Sequence, residues 1–363
     1  MTTLFSRWLR KYFSDPEGVM LAVLLVLGFA VIVFLGDMLA PVLASIVIAY
    51  LLEGAISIFE RRGVHRMVVV VSVFITFVAL LLLLFFGLIP RVTSQAAQLV
   101  VDLPTMIAKG QQMFDRLPDL YPHLINEVQV QQLMEALEST AAELGRHVLS
   151  FSLVTIKSVF TALLYLVLVP VLVFFLLMDK RKILVWLLSL LPPQRTLATR
   201  VWREMDRQIG NYVRGKLAEI IIVGDVAYVA FVLMGLKYSV LLAVLVGLSV
   251  IVPYIGAVAV TVPVLLIAFF QWGWGPDFAY IMFVYTIIQI LDGYVLVPLL
   301  FSEAVNLHPI AIIVAILLFG GIWGFWGVFF AIPLATLVKV LITAWPRARL
   351  EEPAAVDKIE GAA

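Results

Sequence analysis

The chain has no cysteine, four histidines and a charged content of only 13% across 363 residues. Without cysteine there can be no disulfide, no thiol redox chemistry and no thiolate metal site. His65, His123, His147 and His308 fall in different loops. There is no H-E-x-x-H pair, no nucleophile elbow and no glycine-rich dinucleotide loop, so a metal-dependent or acyl-transfer hydrolase lacks its residues. No catalytic residue, metal site or cofactor is expected. The formal net charge of +1 offers no concentrated basic surface for nucleic acid. One stretch imitates a nucleotide loop: GNYVRGKL, residues 210–217, matches G-x-x-x-x-G-K. Leu217 stands where a Ser or Thr would hold magnesium, and the stretch follows a helical pattern and not a strand, so nucleotide is not expected as a partner.

What the chain has instead is apolar sequence. Hydrophobic residues make up 63% of it and the mean hydropathy is +1.09, far outside the soluble range. The composition specifies an all-α polytopic membrane protein whose first partner is the lipid bilayer. The first apolar run, 18–36, follows Arg7, Arg10 and Lys11. It is too long for a signal peptide and has no A-x-A cleavage site, so it reads as an uncleaved span.

Runs 18–36 and 38–52 flank Asp37 and Pro41, which suggests a tight helical hairpin turning outside the cytoplasm. The basic loop 60–66, with Arg61, Arg62 and Arg66, is expected inside under the positive-inside rule, and 67–90 crosses outward. Residues 91–147 carry seven acids against four bases and two apolar stripes at helical spacing, broken at Pro118 and Pro122. They read as an outer extramembrane region of amphipathic helices, either a small cap or a substrate-capture domain. Residues 148–178 return inward and stop at Asp179, Lys180, Arg181 and Lys182.

Within 179–218, a basic region, Leu197, Val201, Met205, Ile209, Val213 and Leu217 recur every four residues. The stripe suits an interfacial helix on the inner leaflet, or equally a helix packed on its neighbours. The C-terminal core, 219–345, begins with a span at 220–236 containing Asp225. The run 238–276, uncharged up to Pro276, includes Pro253, Gly256 and Pro263, and must fold back because roughly 20 residues suffice to cross. Residues 278–300 return inward past Gln289, Asp292, Gly293 and Pro298. The final run is also too long for one crossing, and Gly320, Gly321, Gly324 and Gly327 mark its fold-back. Bases Lys339, Arg347 and Arg349 place the C-terminus inside, and 346–363 reads as a disordered tail.

At PYIG (253–256), LHP (307–309) and GGIWGFWGVFFAIPLA (320–335), the sequence resembles the autoinducer-2 exporter (AI-2E) family. The likeness extends from SDPEG through NYVRGK and SEAVNLHP. It implies about eight membrane segments, with broken or re-entrant hairpins in the C-terminal half, in a bacterial inner-membrane homo-oligomer, as a pentamer, that moves small solutes. Some relatives export an autoinducer-2 signal and others exchange sodium or lithium for protons. A transporter of small solutes, a cation/proton antiporter and a non-transporting scaffold therefore remain the readings.

Charges inside lipid cost several kcal/mol and are functional candidates by default. Asp292, with Gln289 on the same helical face, is the first candidate for a solute or ion pathway, against a reading in which the two only tie helices together. Asp225 is the second. The hairpin apices add Pro253, Tyr254 and Gly256, and Gly320, Gly321 and Gly324, because broken apolar segments free backbone groups for a ligand; the two apices are expected to face each other across the helix of Gln289 and Asp292. Gly320 and Gly324 also fit a G-x-x-x-G packing pattern. Glu303, Asn306 and His308 line the same pathway or form a solvated turn, with Pro309 opening the next helix.

Overall fold

Pro41 does not turn the chain. In the computed structural model, helix α1 runs without interruption over Pro16–Arg61, 46 residues, with Pro41 inside it. The expected hairpin at 36–41 is therefore absent. A buried Ser45 donates to the Pro41 carbonyl at 2.6 Å, and a proline can remain in a helix where lipid leaves the backbone no better partner than itself. The expectation of a cytoplasmic N-terminus rests on the positive-inside pattern of Arg7, Arg10 and Lys11 before the first run and not on the hairpin.

The structure describes residues 16–114, 156–189, 196–301 and 307–344, together with Gln132 and Ser139. Among these, every regular element is helical. After α1 come α2 (Arg66–Leu83), a π turn (Leu84–Leu88) and α3 (Ile89–Phe114) in one run, then α4 (Ile156–Met178), α5 (Lys180–Ser189) and α6 (Thr196–Leu233). α7 (Ser239–Ser249), α8 (Ile255–Trp272) and α9 (Pro276–Leu291) follow, then a second π turn (Asp292–Leu296), α10 (Val297–Phe301), α11 (Pro309–Phe329) and α12 (Ala331–Ala344). Among the described residues, six segments are long and apolar enough to cross a membrane, and there are shorter apolar helices besides. The chain is an all-α polytopic membrane protein. The outer region's second amphipathic stripe and the tail lie outside the described residues.

The two π turns have one cause. Pro90 and Pro298 each stand two residues beyond a π turn. A proline has no N–H for the carbonyl four residues back, and its ring crowds that carbonyl. The helix widens just before each ring: Ile89 N–H reaches the Leu84 carbonyl and Val297 N–H the Asp292 carbonyl, each five residues back. Gly293 and Pro298, expected to break the helix, widen it instead. Likewise the helix does not end at Arg91, and the first amphipathic stripe continues it as α3.

The chain divides into two units, one of residues 41–180 and 211–304, the other of 1–40, 181–210 and 305–363. In the first, α7, α8 and α9 pack around Val246, Val264 and Ile281 with Val223, Ala227 and Phe231 of α6. α3 joins this core through Leu99 and Met106. Tyr238 donates to Asp102 at 2.5 Å and Leu241 N–H to Gln95 at 2.9 Å, so α3 holds the start of α7. Arg66 fastens α2 to Glu53 and Glu60 of α1 and to the Leu177 carbonyl of α4, while Lys180 reaches the same Glu53 at 2.9 Å.

In the second unit, Val201 and Met205 are buried against Leu21, Leu25, Leu337 and Leu341. The part of the stripe at Val201, Met205 and Ile209 is therefore a packed helix face, not a surface lying on the inner leaflet, while Leu217 at its end is exposed, and the helix continues unbroken into the 220–233 segment as α6. Burying such side chains yields about 1.5–3 kcal/mol each, more than an interface would return for the same face.

Candidate functional site

In the first unit, α7 ends at Ser249 after 11 residues, and the chain turns through Pro253 and Tyr254 into α8. At about 1.5 Å per residue, α7 is roughly 17 Å long, short of the 30 Å a membrane core needs. The turn is tight. Tyr254 adopts φ 63°, a left-handed conformation that costs a non-glycine residue about 1–2 kcal/mol. A Cβ on Gly256 would come within 1.8 Å of the Ser249 carbonyl oxygen, so only glycine lets the arms meet there.

Lys216 of α6 closes on this apex. Its Nζ donates to the Val250 carbonyl at 2.8 Å, at the C-terminal end of α7 where a cation suits the helix dipole. The same Nζ lies 2.6 Å from Glu219 Oε2 and 5.1 Å from the centre of the Phe301 ring. Both ionic side chains are almost completely buried, at 4% and 2% exposure. The Lys216–Glu219 approach is a charge contact without hydrogen-bond alignment, which leaves Glu219 Oε2 buried and unbonded. Asp292 stands at the start of the second π turn. Its Oδ1 is likewise buried without a hydrogen bond.

Glycines allow this crowding. A Cβ on Gly215 would stand 2.9 Å from the Phe301 ring, and one on Gly247 of α7 would stand 2.8 Å from the Ile220 carbonyl of α6. The backbones of α6 and α7 therefore touch one residue beyond Glu219. A polar string runs nearby: Gln289 donates to the Tyr285 hydroxyl at 2.9 Å, and that hydroxyl meets Thr261 Oγ1 at 3.1 Å. Gln289 thus bonds back along its own helix.

The remaining candidates separate. Asp225 lies on the exposed face of α6, opposite Val223 and Ala227, and is not part of the cluster. Glu303 and Asn306 lie outside the described residues. His308 is exposed and caps α11, its Nδ1 accepting from Ile310 N–H at 3.3 Å with Pro309 at the first helical position. That is a structural cap.

In the second unit, Gly324 breaks α11 with φ 58° and ψ −135°, and the chain doubles back into α12. The straight arm is residues 309–323, about 22 Å long by the helical rise. A Cβ on Gly327 would fall 1.9 Å from the Phe319 carbonyl oxygen, and one on Gly320 would fall 2.8 Å from Val328, whereas Gly321 faces open space. The 320–327 fold-back is as expected, and its glycines serve close packing within the hairpin.

Sequence reasoning missed Lys216 and Glu219. Lys216 closed what read as a cytoplasmic basic stretch and belonged to the false nucleotide loop, yet it sits in the middle of α6. The available signal was a Lys and a Glu three residues apart, with no helix breaker between them and the apolar run that follows.

Comparison with known proteins agrees with this architecture. The model of the AI-2E family transporter matches residues 21–347. The chain is 47% identical over 352 residues, 97% of its own length and 100% of the relative's, to the protein named "Putative permease PerM" in Escherichia coli (strain K12). It is 26% identical over 336 residues, 89% of this chain and 90% of the other, to "Putative transport protein YueF" of Bacillus subtilis (strain 168). A third relative, "Putative transport protein YhhT" of Escherichia coli (strain K12), is 20% identical over 90% of this chain and 91% of its own length. A match over residues 21–347, in a chain of membrane helices with two glycine-dependent hairpins, settles the class: this chain belongs to the AI-2E family of transporters.

Proposed function

We propose that the protein is a secondary transporter of small solutes in the bacterial inner membrane, working as a homo-oligomer, with an autoinducer-2-like signal or a related metabolite as solute. The observation that carries this reading is the short, broken hairpin 239–272, whose apex is held by a buried Lys216 through a single hydrogen bond to Val250. Broken apolar helices expose backbone groups where protein must shelter them from lipid, and in transporters such places bind the cargo. The names of the relatives, permease and transport protein, support the same class. The basic loop 60–66, the region after Lys180 and the C-terminus are placed on the cytoplasmic face by their positive charge.

Cation/proton antiport is a second reading, favoured by two carboxyl groups inside apolar helices: Glu219 is buried against the Lys216 ammonium, and one carboxylate oxygen of Asp292 is buried without a hydrogen bond. Purified protein in liposomes, given a panel of small solutes with and without a pH or sodium gradient, tests the proposal. Solute flux above that of empty liposomes supports it. Sodium or lithium exchange for protons without solute flux supports antiport, and no flux of any kind leaves a membrane scaffold.

A further inference from the structure

None of the side chains of α5, Lys180–Ser189, is buried, although six of its ten residues are apolar. Leu184, Leu187 and Leu188 are 40–46% exposed, and Val185 and Trp186 more so. Helical spacing places Ile183, Leu184, Leu187 and Leu188 on one face, with Lys182 and Ser189 opposite. Length excludes a crossing, since at about 1.5 Å per residue the helix is roughly 15 Å long against a core of about 30 Å. Its start nevertheless lies at the end of a membrane span: α4 stops at Met178, and only Asp179 separates it from α5. The charge at that start is unusual for a helix. Lys180, Arg181 and Lys182 occupy the first turn, where the helix dipole disfavours cations. Asp179 offsets part of this, and Lys180 is engaged by Glu53 at 2.9 Å. Arg181 stays exposed at the same end. The helix itself gives no reason for basic residues there, whereas an anionic surface does, each basic side chain near it shifting the balance toward docking about fivefold.

We propose that α5 is an interfacial anchor for anionic phospholipid: Ile183, Leu184, Leu187 and Leu188 lie at the boundary between headgroups and acyl chains, and Arg181 and Lys182 meet the phosphates. An amphipathic helix too short to span, apolar on one face and basic at one end, has the composition of a segment that lies in the plane of the leaflet. Trp186, at the edge of the apolar face, has the amphipathic ring that settles at headgroup level. The surface role expected of the 197–217 stripe thus falls to the helix before it. The inner leaflet follows from the basic-loop assignment of the region after Lys180, whereas docking on anionic lipid is independent of what the protein carries.

The test needs no transport, and a chain without cysteine can be labelled at one chosen site. Leu187→Cys on the apolar face and Ser189→Cys on the opposite one each carry a small polarity-sensitive fluorophore, in full-length protein reconstituted in vesicles of equal parts phosphatidylcholine and phosphatidylglycerol. Neither substitution touches a core, since α5 has no buried side chain. The probe at 187 should emit at shorter wavelength than the probe at 189. It should also lose more of its intensity to lipids brominated near the glycerol end of the acyl chain than to lipids brominated near the chain end. Replacing the phosphatidylglycerol by phosphatidylcholine should weaken that quenching, and so should Arg181→Gln with Lys182→Gln in the anionic vesicles. Equal behaviour of the two probes, stronger quenching from the chain end, or quenching indifferent to lipid charge or to the two basic side chains overturns the proposal. A probe at 187 shielded from water yet untouched by brominated lipid also overturns it, because a protein surface would then cover that face.

Discussion

Lys216 Nζ bonds the main-chain carbonyl of Val250, 34 residues further along the chain, at 2.8 Å, so a side chain in the middle of α6 holds the end of α7. The same ammonium is the counterion of Glu219 at 2.6 Å. Removing it breaks two things at once. Lys216→Met should destabilise the protein by about 3–5 kcal/mol, because it strands a buried carboxylate, whereas Lys216→Met with Glu219→Gln should recover much of the loss. Unfolding in detergent, followed by helical circular dichroism, measures both. A double variant no better than the single one would show that the pair is not energetically coupled.

The glycines separate into those the fold needs and those it tolerates. Gly256→Ala should prevent the 250–256 apex from closing and cost at least about 1–3 kcal/mol by overpacking, since its Cβ would meet the Ser249 oxygen at 1.8 Å. Gly321→Ala, with nothing within 4 Å, should be close to neutral. Expression and thermal stability of the two variants provide the comparison. Equal behaviour would mean that the apex can relax.

Charge on the packed stripe of α6 should be as damaging as charge in a core. Val201→Glu and Met205→Lys each place an ion against Leu21 and Leu337. Loss of well-folded protein, seen as aggregation in size-exclusion chromatography, is the expected result. Trp202→Glu, one position away and 68% exposed, should be tolerated if the stripe is packed on protein. A chain that accepts Val201→Glu and Met205→Lys unchanged would rule out this packing.

Orientation follows from the basic loops. A cysteine at Arg62 should react with impermeant thiol reagents only from the cytoplasmic side, and one at Trp274, 81% exposed beyond α8, only from outside. Labelling of both from one side would contradict the assignment.

The hairpins were legible in the sequence because their signals are local. Proline and glycine inside an uncharged run longer than one crossing leave the chain little choice, and Pro253, Gly256, Gly324 and Gly327 all act where the run demanded. His308 and Pro309 were equally readable as a helix start. Other features depended on surroundings that a sequence does not display. Pro41 looked like a turn, yet α1 passes straight through it. Pro298 looked like a break, yet the helix absorbed it by widening at Asp292. The stripe through Val201 and Met205 suited lipid and protein alike, and only the neighbours Leu21 and Leu337 decide between them. Lys216 was hidden most thoroughly, since its partners are a glutamate one turn away, a carbonyl 34 residues on and an aromatic ring on another helix.

The most direct test of the account measures solute flux in proteoliposomes for the native protein and Asp292→Asn side by side, with and without an imposed pH gradient. The account predicts flux from the native protein that the gradient accelerates, and from Asp292→Asn a flux that no longer responds to the gradient. Flux by Asp292→Asn at the native rate and with the native gradient dependence, or no flux from the native protein across the solute panel, would contradict it.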